Sequence, residues 1–346
     1  MKTYQLILAT ALVALASCNK EEVTNTDVNL ESNEIGFNVV NRKATKANDA
    51  IISGTTYAHD NTFKVWGWQS PAADFSEFAE DDASNFMSNL TISWTGGRLS
   101  RDEAWRNADN YYYWPFTGKI SFLAIHPSTV APSTTGWDAT NDKPKATVAD
   151  YTISAANKTV DLMFATNEGS RRVDALPMVF NHALSQIEVQ VKTDEDYTAD
   201  VAFDVESVTF NNIDLSGDLA YANNAFTWTD NAAQTESWTY YDTVLEDITK
   251  DYQVYGAANV MIPQAASVAD DPATTDAIEG SYLTIGYSME QTGSAKITGT
   301  VNISKPQAWE AGKKYVYTLN FRLNEILFNP SVTDWVVVNV DTINIY

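Results

Sequence analysis

No stretch of 15 residues in this chain keeps an apolar period of 3.6, whereas short runs rich in β-branched and aromatic residues recur along its whole length. The first, EIGFNVV at 34–40, puts Ile35, Phe37 and Val39 on one face in strict alternation, the pattern of a strand with one face in a core. Others follow at 63–68, 90–94, 111–116, 120–125 and 159–165, separated by clusters of Gly, Pro, Asn, Asp and Ser. Longer runs continue at 178–192, 201–213, 258–263, 281–289, 295–303 and 313–323. One short helix is expected over 75–89, carried by Phe75, Phe78, Phe86 and Met87. This grammar predicts an all-β chain, and 346 residues suit two β-sandwiches in series better than one. NEGSRRVDALP at 167–177 places a glycine, paired arginines and a proline between apolar runs, which sets the expected boundary: 34–172, then 173–346.

The N-terminus carries a different signal. Lys2 precedes an apolar stretch, Leu6 to Leu15, of about ten residues, half of the roughly 20 that a membrane-spanning helix needs. Ala16 and Ser17 then precede Cys18, the single cysteine of the chain, so no intramolecular disulfide is available to it. Leu15-Ala16-Ser17-Cys18 resembles a bacterial lipobox, in which signal peptidase II removes the leader, here 1–17, and the cysteine is acylated. Anchoring then needs more than one acyl chain, at about 0.8 kcal/mol per buried CH₂. Asn19-Lys20-Glu21-Glu22 resembles the short signal that sends Bacteroidetes lipoproteins to the outer face of the outer membrane. Residues 18–33 are polar and aperiodic and read as a flexible tether.

A formal net charge of −23 excludes nucleic acid as a partner, because affinity for phosphate rests on cations. His59, His126 and His182 lack the spacing of a zinc site, and no G-x-S-x-G context accompanies them. With 45 acidic residues, some carboxylate pair is always available, so none argues for glycoside hydrolysis. DEDYTAD at 194–200 lacks the glycine and spacing of a calcium loop and reads as a solvated hairpin tip. Trp114-Pro115 and Phe122 read as core and turn, His182 as a hydrogen-bonded structural histidine, Gly312-Lys313 as a turn opening a strand, and Trp335 as a sandwich plug. The expectation is a non-enzyme with no cofactor and no metal.

Five phrases in order after the lipobox carry a family resemblance: YYYWPFTGKISFLAIHP (111–127), LPMVFNHALSQIEVQV (176–191), VMIPQ (260–264), AWEAGKKYVYTLNF (308–321) and VTDW (332–335). Together they resemble the fimbrillin-like family of Bacteroidales, the type V pilus subunits with their anchor and tip relatives. The resemblance implies two transthyretin-like β-sandwich domains, export as a lipoprotein, trimming by an Arg- or Lys-specific protease, and polymerisation by strand exchange. It implies as partners other pilus subunits, a trypsin-like maturation protease and a host or bacterial surface receptor, with the mature protein in a fimbrium.

Set in that frame, NRKATKAND at 41–49 looks like the maturation site: Arg42, Lys43 and Lys46 crowd together directly after the first strand. Cleavage after Arg42 or Lys46 releases lipid, tether and first strand together, leaving a groove lined by unpaired backbone groups. The C-terminal VVVNVDTINIY, at a free end, is the expected donor. Val336, Val338 and Val340 share one face of it; Ile343 and Ile345 fall on the other, so the segment bends midway or only half of it is donated. The alternative is a surface-tethered glycan-binding or adhesive lipoprotein, or a pilus anchor or tip, that never polymerises.

Overall fold

The computed structural model describes residues 33–41, 57–97, 103–172, 174–197, 201–230, 235–265, 280–304, 308–322 and 326–334. Cys18, Arg42, Lys46, Val336, Val338 and Val340 lie outside the described residues. The described chain is all-β. Its strands are β1 (Phe37–Asn41), β2 (Phe63–Ser70), β3 (Met87–Gly96), β4 (Glu103–Arg106), β5 (Lys119–His126), β6 (Thr134–Asp138), β7 (Lys143–Thr152), β8 (Met163–Gly169), β9 (Leu176–His182) and β10 (Ser185–Thr193). They continue with β11 (Val201–Ile213), β12 (Ser216–Ala222), β13 (Ala225–Asp230), β14 (Glu236–Tyr241), β15 (Gln253–Val254), β16 (Asn259–Met261), β17 (Tyr282–Gln291), β18 (Ile297–Ser304), β19 (Lys313–Phe321) and β20 (Ile326–Asp334).

Seven strands close a barrel in the order β1-β4-β3-β2-β5-β8-β9. Three open sheets accompany it: β13-β12-β7-β6, β14-β11-β17-β18, and β15-β10-β19-β20 with β16 also on β10. Period-2 alternation explains how one strand serves two cores. On β2, Phe63 and Val65 point into the barrel while Trp66 and Trp68 join the second core, and Phe122 and Leu123 of β5 divide the same way. That second core runs through Val148 of β7 and Leu219 of β12 to the facing sheets of the later chain, where the rings of Phe210 and Tyr317 lie 5.4 Å apart.

Position 172/173 falls between β8 and β9, neighbours in the barrel, and β7 pairs with β12 across it, so strand pairing is continuous there. The expected helix over 75–89 is a run of turns leading into β3. Asp74 and Asp82 accept the backbone N–H groups of Ser76 and Ala79, a local alternative to helical bonding. Phe75 and Phe78 instead pack on Trp137, each 5.1 Å between ring centroids. The run 178–192, read as one strand, divides at Ala183-Leu184 into β9 in the barrel and β10 in an open sheet. Of YYYWPF, only Tyr113 makes a strand-like pairing, an isolated bridge to Glu34.

Candidate functional site: the leading strand and its groove

The sequence EIGFNVV builds the seam of the barrel. β1 pairs in parallel with β9 over five positions, from Phe37 opposite Leu176 to Asn41 opposite Phe180, and antiparallel with β4 at Phe37 and Trp105 alone. Upstream of β1 the chain is held by backbone bonds: the Ile35 N–H donates to Tyr112 O (2.7 Å), the Trp114 N–H to Asn33 O (2.8 Å) and the Leu176 N–H to Gly36 O (2.8 Å). Ile35, Phe37 and Val39 are 4%, 1% and 8% exposed, so the alternating face expected from the sequence is buried in the barrel core. The Phe37 ring meets Phe122 edge-on at 5.2 Å and Phe63 at 6.2 Å. Burial of this kind contributes very roughly 1.5 to 3 kcal/mol per side chain.

Sequence reading missed a charged feature at the strand's entrance. Glu34 and Arg106 are both buried, and they come together beside Gly97: a Cβ there would overlap Glu34 Oε2 and lie 3.2 Å from Arg106 Cζ. Arg106 also donates from Nη1 to Thr95 O (3.1 Å). Gly97 is thus required by close approach. A buried guanidinium left without an acidic neighbour is strongly destabilising, so this end of the groove selects for negative charge. Just outside, Arg171 donates from Nε to Asn33 Oδ1 (3.0 Å) and lies over the exposed ring of Phe116. Asn33, just ahead of β1, therefore holds one of the two arginines at the expected boundary.

Tyr57 closes the other end. It is buried among Trp105, stacked Phe180, and His126, whose Nδ1 lies 2.6 Å from the Tyr57 hydroxyl. Burial pushes the Tyr57 phenol up, and burial first of all pulls His126 down, against the raising effect of nearby Asp161. The same Nδ1 also lies 3.1 Å from the Thr62 carbonyl oxygen, so the ring is held between a hydroxyl and a backbone acceptor. Because the folded pKa of His126 lies below its unfolded value, the unfolded chain binds the proton more readily, and stability is lost as pH falls below about 6.5. Melting temperature is therefore expected to fall as the pH drops below about 6.5, with a shallower slope in His126→Gln.

β8 also brings His126 and His182 to either side of Met163, a proximity invisible in their spacing. His182 Nδ1 sits 2.5 Å from Asp161 Oδ2, both buried, which is the structural role expected of it. His59 stacks on Trp94 at 3.9 Å. Asp194 takes the Tyr197 hydroxyl and pairs with Arg322 (3.0 Å), and no group of metal-ligating residues forms among the described residues. Trp114 and Phe122 are buried core residues, and Gly312 takes a positive φ of 71° at the turn before β19. Among the described residues β20 pairs only with β19, at the edge of its sheet, and the chain continues from it into 335–346.

The described residues thus form an all-β body in which the barrel is sealed by its own leading strand. The fimbrillin-like family profile matches residues 43–335, and the chain belongs to that family, one of fimbrial structural and adhesion proteins and not of enzymes. The match begins after Arg42 and stops before Val336. Among solved structures, a fimbrial protein from Bacteroides vulgatus ATCC 8482 is similar at 17% identity and TM-score 0.61, covering 87% of this chain and 99% of that one. A protein described as a candidate for cell adhesion, from Bacteroides uniformis ATCC 8492, is similar at 16% identity and TM-score 0.51, covering 88% and 100%. At these identities the likeness is one of fold. No curated protein matches the sequence.

Proposed function

We propose that this chain is a structural subunit of a cell-surface fimbria, exported as a lipoprotein on Cys18, trimmed after Arg42 or Lys46, and assembled by exchange of β1 for the C-terminal strand of another subunit. The observation that carries the reading is the position of β1: the strand that seals the barrel is the one that directly precedes the basic cluster. While the chain is intact, β1 is held at high effective concentration. Cutting at 42–46 turns it into a separate peptide, so dissociation becomes lasting on dilution. The vacated seam then presents the β9 backbone edge and three apolar pockets to a strand from a neighbour. The precursor sits on the outer membrane and the trimmed subunit in the fimbrium.

Limited trypsin digestion followed by N-terminal sequencing and sizing tests this. The expected result is a new N-terminus at Lys43 or Ala47 and growth of polymers. First cuts at Arg171 or Arg172, or trimmed protein that stays monomeric at all concentrations, would leave a non-polymerising adhesive or glycan-binding lipoprotein. Cys18→Ala is expected to abolish incorporation of a fatty-acid analogue and to accumulate uncleaved precursor; normal labelling of the variant rules out lipidation at that residue.

A further inference from the structure

Resting on the strand-exchange reading, we propose that the incoming strand lies in the barrel groove with polarity opposite to β1. Asp341 of a second copy takes the place of Glu34 beside Arg106, and Val340, Val338 and Val336 fill the pockets of Ile35, Phe37 and Val39.

The groove sets two requirements. One is an acidic group at the entrance, where Glu34 and Arg106 are both buried beside Gly97. The other is apolar side chains at the first, third and fifth positions beyond the acid, as in Glu34, Ile35, Phe37 and Val39. The chain from 326 onward has two acidic residues, Asp334 and Asp341, and each can be laid in the groove in two directions. Asp334 in the direction of β1 brings Trp335, Val337 and Asn339, with an amide in the innermost pocket; reversed, it brings Thr333, Ser331 and Asn329. Asp334 is in any case committed to β20, opposite Lys313. Asp341 in the direction of β1 brings Thr342, Asn344 and Tyr346. Only Asp341 reversed brings three apolar residues, Val340, Val338 and Val336. This frame also explains why the apolar parity changes after Asp341, since the residues beyond it leave the groove.

Backbone geometry favours the same direction. β1 runs parallel to β9 through five paired positions but pairs with β4 at only one. A reversed strand converts the longer ladder to antiparallel pairing, the more stable arrangement per residue. Exchange thereby improves the seam that β1 leaves.

The test uses the trimmed subunit with its C-terminus intact, which lacks Cys18 and so has no background thiol. Val179 is 40% exposed and stands opposite position 40 in the parallel register. With the strand reversed, Trp335 occupies that position; with the valines laid in the direction of β1, Asp341 does. Val179→Cys with Trp335→Cys is expected to give an intermolecular disulfide ladder, and Val179→Cys with Asp341→Cys none. The opposite result, or equal ladders from both pairs, overturns the reversed polarity while leaving strand exchange standing. Asp341→Arg is expected to lower polymer yield at least tenfold, and Asp341→Glu to retain it; an unchanged yield with Asp341→Arg overturns the pairing with Arg106. Wild-type trimmed subunit that never polymerises fails the exchange reading itself.

Discussion

Phe37→Ala will lower the stability of the uncut precursor by about 3 to 5 kcal/mol and leave the stability of trimmed polymers unchanged. The ring is 1% exposed and sits between Phe63 and Phe122 at the centre of the barrel core, so truncation removes its burial and leaves a cavity that the rigid barrel wall collapses into only partly. If β1 is exchanged as proposed, position 37 is no longer part of the folded body. Urea unfolding of precursor and polymer, each with and without the substitution, separates the two states. Equal losses in both would mean that β1 stays in place after trimming and that polymers, if formed, use another contact.

Removing Val336 to Tyr346 will abolish polymers while lipidation and trimming proceed normally. The nine pairs between β19 and β20 end at Asp334, so the deletion begins beyond the last described strand. Replacing Val336, Val338 and Val340 together by Ser keeps the length of the chain and removes only the apolar face, and is expected to have the same effect. Sizing after trypsin treatment gives the readout for both. Polymers from the triple variant at wild-type yield would show that this face is not what enters the groove.

Much of this is legible in the amino-acid sequence. Ile35, Phe37 and Val39 declared a half-buried strand because alternation at period 2 has few other physical solutions, and the later runs around 201–213, 281–289 and 313–323 became β11, β17 and β19 with small shifts at their ends. Phrases that read as core, such as Trp114 and Phe122, are core. Local pattern failed where partners distant in sequence or side-chain capture of the backbone took over. The aromatics at 75–89 fit a helix by spacing, but carboxylates at Asp74 and Asp82 capture the nearby N–H groups and Trp137 offers the rings a better surface. The run through 178–192 carries no glycine or proline at its break, because both sides of Ala183-Leu184 are buried and only the choice of sheet changes.

The sequence by itself determined the strand grammar, the alternating leading strand beside its basic cluster, and the family, since these depend on residue order within a few positions. Tertiary structure alone decided that β1 seals a closed barrel by lying parallel to β9, that β7 joins β12 across position 172/173, and that Glu34 is buried with Arg106 beside Gly97. The physical reason is range: hydrophobic periodicity acts between neighbours in the chain, whereas closing a barrel and burying opposite charges join residues that approach only once the whole chain has folded.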